Sequence, residues 1–211
     1  EIDFILKNAG KYMSVKPKRD DIKSVFAGLR PLAATSNKQS TKEVSRSHKI
    51  DISPSGLISV LGGKWTTYRK IAEDALNTAI SINKLKKKKC KTERTKLFGF
   101  KRNVSWSDPM HVYGSMKKKV ESLGGINDNK SLSKKFYISN NIIEWSIIHE
   151  MALTVEDILA RRTRCVFLDS KESKRISPVV AQKMADVLGE DDKWIDAELK
   201  KFNKLIKNYI V

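Results

Sequence analysis

Cysteine is scarce. Cys90 and Cys165 are the only two in 211 residues, 75 positions apart, with no histidine at metal-ligand spacing from either. A disulfide framework and a zinc module are therefore not what organises the chain. Both thiols read as reduced, in a reducing compartment. His48, His111 and His149 are scattered, so no metal is expected. No apolar run approaches the roughly 20 residues needed to span a bilayer. The N-terminus, Glu-Ile-Asp-Phe, lacks the basic start and apolar stretch of a signal peptide. It also opens without Met, mid-pattern, as an excised fragment would. Nowhere does a Gly-x-Gly-x-x-Gly turn join a strand to a helix, so the usual cradle for a dinucleotide pyrophosphate is missing.

Acidic residues are also short. Against 42 Lys and Arg there are 24 Asp and Glu, a net charge of +18. The excess is uneven: residues 84 to 119 hold 13 basic and two acidic residues, and so 11 of those 18 charges. Two readings stay open for this segment. It is a solvated surface loop, or it meets an anionic partner such as a membrane surface or nucleic acid. Nucleic acid is disfavoured, because no recognisable binding motif accompanies the charge. With 40% apolar and 31% charged residues the chain is otherwise ordinary for a globular protein. Its length suits one good core, or one domain plus part of another.

Periodicity predicts a helix over 1–14, ended by Lys16-Pro17-Lys18, then a strand from Ile22 to Leu29. A polar loop leads to a hairpin, with strands over 44–52 and 57–61 about the turn Pro54-Ser55-Gly56. A helix follows from Lys64 to about Ile82, and the lysine run after it marks a domain boundary. From Ser107-Asp108-Pro109 onward the pattern is helical. A helix is expected to about Leu123. A second is capped at Ser139 or Asn140, with Ile143, Ile147 and Met151 facing inward. A third opens on Thr154 with Asp157 in a capping-box arrangement. Another ends at Gly189, and a last one is capped by Asp191 or Asp192. The expected fold class is an α+β fragment: the end of an α/β domain over 1–82, a basic linker over 83–106, and an all-α domain over 107–211. Unpaired strand edges in the first part favour self-association, so a homo-oligomer is expected.

The stretch Gly56 to Asp74 organises this pattern. A buried-type strand, Leu57 to Leu61, runs into Gly62-Gly63, and a helix starts at once. That leaves amides at Lys64, Trp65 and Thr66 free to meet a ligand, and glycines let an anionic or planar group approach the backbone. A tight connection with no ligand fits the same spacing. Arg30, in Phe-Ala-Gly-Leu-Arg-Pro-Leu, and Arg46, in Ser-Arg-Ser-His, are candidates to grip a phosphate by paired hydrogen bonds. Pairing with a carboxylate is the alternative for each.

Gly62-Gly63-Lys64-Trp65-Thr66-Thr67-Tyr68-Arg69-Lys70, with Ala72-Glu73-Asp74, resembles the FAD-contacting segment of FAD-dependent glycerol-3-phosphate dehydrogenases. The motifs around Arg30 and Arg46 match the same family, in the same order. So do His149-Glu150-Met151-Ala152 and the run from Val155 to Arg164, which resemble the signature of its helical C-terminal domain. The resemblance covers essentially the whole chain. It implies oxidation of glycerol 3-phosphate to dihydroxyacetone phosphate with FAD as cofactor and a quinone or oxygen as electron acceptor. Gly62, Gly63, Lys64, Trp65 and Thr66 would contact the flavin, Arg30 would act on the substrate at the ring, and Arg46 would hold its phosphate. The missing dinucleotide turn and the general base would lie upstream, so this segment alone is expected to retain no FAD. His48 reads as a strand residue, and Arg161, Arg162 and Arg164 as structural. The location implied is cytoplasmic, with the basic segment a candidate dock on the membrane face. A basic interaction module without catalysis is the rival reading.

Overall fold

The computed structural model describes residues 1–29 and 47–211. It is mostly helical, with one two-stranded sheet. Two compact units divide it: Gly28–Phe98, and Glu1–Ala27 together with Gly99–Val211. The second pairing joins residues 1–27 to the helical body, which no sequence pattern announced.

In the Gly28–Phe98 unit, β1 (His48–Ile52) and β2 (Ile58–Gly62) form an antiparallel hairpin, with His48 opposite Gly62 and Ile52 opposite Ile58. The turn closes where Ser53 donates its amide to the Leu57 carbonyl at 2.9 Å and Gly56 adopts φ +84°. A 3-10 turn, Trp65–Thr67, then leads into α2 (Tyr68–Ile82). Of the α/β piece expected from sequence, the described residues hold this hairpin and helix. No described residue of the unit is fully buried, and Ile52, Leu57, Val60 and Leu61 are exposed. A lone hairpin is marginally stable in water.

The helical body has α1 (Ile2–Ala9), α3 (Lys117–Glu121), α4 (Asn140–Glu150), α5 (Cys165–Leu168), α6 (Ser170–Leu188) and α7 (Asp192–Ile206). Its main core gathers Ile143, Val155, Ile158, Leu159, Ile176, Val180, Met184, Phe202 and Ile206, all almost completely sealed from water. A smaller core joins Met110, Val120, Ile142 and Trp145. Cys165 and Cys90 are free thiols. Burial pushes the Cys165 thiol up to about 11, so it stays protonated.

Several expectations need correction. The first helix ends at Ala9, followed by Gly10, not at residue 14. The segment from Ile22 to Leu29 is not a strand of any sheet. It runs as a strap whose Lys23 carbonyl and Val25 amide bond to Ser170 and Tyr209. The helix expected over 107–123 is broken. A 3-10 stretch, Pro109–Met116, precedes α3, and Gly114 within that stretch kinks it at φ 51°, ψ −117°. The Gly99 carbonyl lies where a side chain at Gly114 would point, and it accepts the Ser115 amide at 2.9 Å. Met151 does not face inward. It ends α4 in a left-handed conformation (φ 57°, ψ 36°), 80% exposed, and Ala152 goes into the core instead. The helix after Thr154 becomes a π-helix over Asp157–Arg162.

The caps were legible. The Asp157 carboxylate accepts the amides of Leu153 and Thr154 and the Thr154 hydroxyl, while the Asp157 amide donates back to Thr154 Oγ. This is the reciprocal box, with Asp in the place usually held by Glu or Gln. Asp108 accepts the Met110 amide, and Asp191 accepts that of Trp194. Ser139 stands at the N-cap of α4, but its hydroxyl makes no cap bond.

Buried acids were not legible. Glu172 is 7% exposed and accepts from Ser133 Oγ at 2.6 Å and from Arg175 at 2.6 and 2.8 Å. Those bonds, the Arg175 guanidinium first and the Ser133 hydroxyl next, hold its carboxyl at about 2 against an ordinary 4.5. A depressed pKa stabilises the fold fully above the unfolded value and is lost as pH falls through the folded one. Glu172→Gln should therefore lower the melting temperature clearly at pH 6 and progressively less between pH 4.5 and pH 2. Thermal denaturation of both proteins across that range checks it. A penalty independent of pH would mean that the charge is not what matters.

Candidate functional site

The site expected from the sequence is the bend between β2 and α2. Gly62 and Gly63 both have positive φ, +68° and +86°. L side chains rarely adopt such a backbone, so glycine is what the turn requires. Gly63 is constrained twice over. A Cβ there would lie 2.7 Å from Ile71 Cδ1 and 3.2 Å from His48 Cβ. The bend thus depends on the strand and the helix coming together directly over a missing side chain.

After the glycines Lys64 is extended, at φ −125° and ψ 146°. Its carbonyl accepts both the amide and the hydroxyl of Thr67, each at 3.0 Å. That closes the 3-10 turn and leaves the amides of Trp65 and Thr66 without an acceptor among the described residues. Trp65 is 84% exposed and stacks on Tyr68, with ring centroids 5.3 Å apart. Gly62, Gly63, Lys64, Trp65 and Tyr68, with Val60 and Ile71 behind them, line an open recess of about 360 Å³. Free amides, a lysine and an exposed aromatic face can receive a planar, electron-rich group.

The charged residues that follow are occupied internally. Arg69 bonds Glu73 at 2.8 Å and Thr92 at 3.2 Å, tying α2 to the segment beyond the lysine run. Lys70 reaches Asp74 at 2.8 Å, and His48 Nε2 lies 3.2 Å from the same carboxylate. The Lys70 hydrogen bond, against some desolvation and with the charges of Lys70 and His48, holds Asp74 below its ordinary value. His48 is thus a half-buried residue at the start of β1 with its ring turned to α2. Arg30 and Arg46, the expected substrate residues, lie outside the described residues.

Of the C-terminal signature, Arg161 pairs with Glu156 at 2.6 Å and Asp157 at 2.9 Å. Arg162 donates from both Nε and Nη2 to the Glu150 carbonyl, closing the end of α4. Trp145 donates to the Glu150 carboxylate at 3.0 Å and packs on His149. Half-buried beside this network, the Tyr113 phenol is pushed up by desolvation and then by the Glu150 charge. The signature joins two helix ends.

Fold and bend together describe a mostly helical chain, carrying a hairpin-to-helix turn with amides open to a ligand. It belongs to a known family: residues 58–195 match the C-terminal domain of alpha-glycerophosphate oxidase. Among curated proteins it is 31% identical to the mitochondrial glycerol-3-phosphate dehydrogenase of Bos taurus, over 98% of this chain and 32% of that one. Identity is 28% to the mitochondrial glycerol-3-phosphate dehydrogenase SDP6 of Arabidopsis thaliana, over 100% of this chain and 38% of the other. A probable mitochondrial glycerol-3-phosphate dehydrogenase of Dictyostelium discoideum is 31% identical, over 100% and 36%. The chain spans about a third of the length of these relatives.

Gly63→Ala should destabilise the protein by about 1–3 kcal/mol, from the strained backbone and the crowding against Ile71 together. Gly28→Ala is the control, since nothing lies within 4 Å of a Cβ there. It should stay within about 0.5 kcal/mol of the parent. Equal midpoints for both variants in urea would show that the bend tolerates a side chain.

Proposed function

We propose that this chain is the C-terminal part of an FAD-dependent enzyme that oxidises glycerol 3-phosphate to dihydroxyacetone phosphate. The observation that carries the reading is the glycine bend, with its unpaired amides and open recess, in a chain similar along its whole length to glycerol-3-phosphate dehydrogenases. Residues 1–82 would be the end of the FAD and substrate domain, 83–106 a linker, and 107–211 the helical domain. Bound FAD would supply the two-electron acceptor for the hydride leaving C2 of the substrate. The residues of the bend suit such a group: Gly62 and Gly63 present no Cβ, and Trp65 and Thr66 offer unpaired N–H donors to an electron-rich ring. Arg46 would grip the substrate phosphate as a charge-assisted pair, and Arg30 would orient the carbinol carbon for hydride loss. The hydroxyl proton goes to a base outside these residues, and the electrons pass on to a quinone or to oxygen.

In the full-length enzyme Arg46→Ala should raise KM for glycerol 3-phosphate by roughly 10- to 100-fold, as expected when a charged hydrogen-bonding partner of the phosphate is removed. Steady-state kinetics decides it, and an unchanged KM removes Arg46 from the site.

One observation favours a second role beside the first. Leu85 is exposed next to the exposed lysines 86–89, and Leu97 and Phe98, further along the same basic segment, are exposed too. Basic and apolar side chains together suit a surface of anionic lipid, which would place the enzyme peripherally on a cytoplasmic membrane face. No helix among the described residues is long and apolar enough to cross a membrane. Sedimentation should show binding to vesicles with anionic lipid, weakened by salt, and little to neutral ones. Equal binding to both would remove the electrostatic dock.

A further inference from the structure

His48 touches both ends of the glycine bend. It is the first residue of β1 and pairs in register with Gly62, the last of β2. Its Cβ lies 3.2 Å from where a Cβ at Gly63 would stand, so it forms part of the floor of the bend. Its ring reaches the far side, where Nε2 lies 3.2 Å from Asp74 Oδ2 in the second turn of α2. All of these residues belong to the Gly28–Phe98 unit.

This arrangement closes a short connection. The residues from Gly63 to Thr67 join β2 to α2. A linker that short aims its own amides only as well as the elements it joins are held. The ladder holds β2 to β1, but α2 follows two glycines at positive φ and has no ladder of its own. Two side chains on one face of α2 hold it instead: Ile71 packs over Gly63, and Asp74 meets the His48 ring. An apolar contact such as that of Ile71 is non-directional, whereas a charged pair fixes an orientation. Lys70 takes the other oxygen of the same carboxylate, Oδ1, at 2.8 Å, so Asp74 is steadied from two sides. A carboxylate only accepts, so Nε2 is the atom that carries the hydrogen.

We infer that His48 is a positioning residue for the cofactor: paired with Asp74, it fixes the angle between β2 and α2 and so aims the Trp65 and Thr66 amides. This rests on the reading, given above, that those amides meet the flavin. Donors aimed at developing charge act by being held in place beforehand. A swing of α2 about the glycines misaims both amides at once. The loss falls more heavily on the reduced flavin, which carries the negative charge, than on the oxidised one.

The test uses the full-length holoenzyme. His48→Phe keeps a ring suited to a strand and removes the donor. Asp74→Asn cuts the pair from the α2 side and serves where the Phe variant folds poorly. His48→Gln returns an N–H donor at similar reach and is the rescue variant. Trp65→Ala and Trp65→Pro probe the underlying reading by themselves. Lys64 is already extended and Trp65 opens the 3-10 turn, so proline fits there. Both changes remove the indole, and only proline removes the N–H. Two readouts are free of turnover: the rate of FAD release on dilution, followed by flavin fluorescence, and the two-electron midpoint potential. Expected for His48→Phe and Asp74→Asn is a roughly tenfold faster release. Affinity for reduced flavin should drop roughly tenfold more than for oxidised flavin, a fall of about 30 mV in potential. The double variant should add nothing further, and His48→Gln should restore both values. Parental release and potential in both pair-breaking variants would overturn the inference, as would a full loss in His48→Gln. If Trp65→Pro loses more than Trp65→Ala in that case, the flavin reading stands and the role of His48 alone is refuted. If the two Trp65 variants are alike, the amide reading fails first, and the inference falls with it.

Discussion

A helix that ends inside a protein leaves amides with no partner in their own helix, and the helical body depends on finding partners for them. In a chain of net charge +18 it uses its few acids for this purpose. Asp157 and Asp169 close the ends they stand at, and Glu198, 4% exposed, turns back to the Val155 amide at 3.3 Å. Their cationic partners stay largely in water: the side chains of Lys135 and Lys201 are 54% and 73% exposed against 8% and 5% for the acids they meet. A half-solvated pair of this kind adds little net stability, yet removing one member strands a buried charge. The pairs therefore fix which ends meet. They also turn the acids inward, so much of the surplus lysine charge faces outward.

The same logic explains what the sequence disclosed. Caps that act over three residues were readable because their chemistry is local: Thr154 with Asp157, Asp108 before Pro109, Asp191 before the last helix. The hairpin and α2 were readable because alternation gives way to helical spacing at two glycines. Glu172 and Glu198 were opaque, since each faces a group dozens of residues away and acids on an amphipathic helix usually point to solvent. The strap was misread as a strand: its partners are a helix start and a chain end, and no periodicity encodes that. Gly114 was missed because its break is imposed by the Gly99 carbonyl across a non-local crossing. Met151 looked like the next inward position of α4 and is instead its left-handed stop.

Of the candidate site, the strand-to-helix bend at Gly62 and Gly63 was legible. Why the bend needs glycine was not. The sequence suggested room for a ligand, whereas the structure adds an inward reason: Ile71 and His48 close over the face where a Cβ would stand. Packing beneath the bend and its positive φ therefore already require glycine. A substitution at Gly63 acts on the fold before it acts on any ligand, so loss of activity alone would say little about flavin contact there.

The two units also differ in self-sufficiency. The helical body seals two cores, while the hairpin unit has no fully buried residue among those described and leaves Ile52, Leu57, Val60 and Leu61 to solvent. Two strands and one helix cannot cover the apolar faces this sequence gives them. A hairpin with those faces suits the margin of a larger sheet, which agrees with a chain matching about a third of each relative's length. The glycine bend thus lies in the unit with no fully buried residue among those described. Each segment is held by a few specific contacts, the bend by Ile71 and His48 beneath Gly63 and the strap by Ser170 and Tyr209.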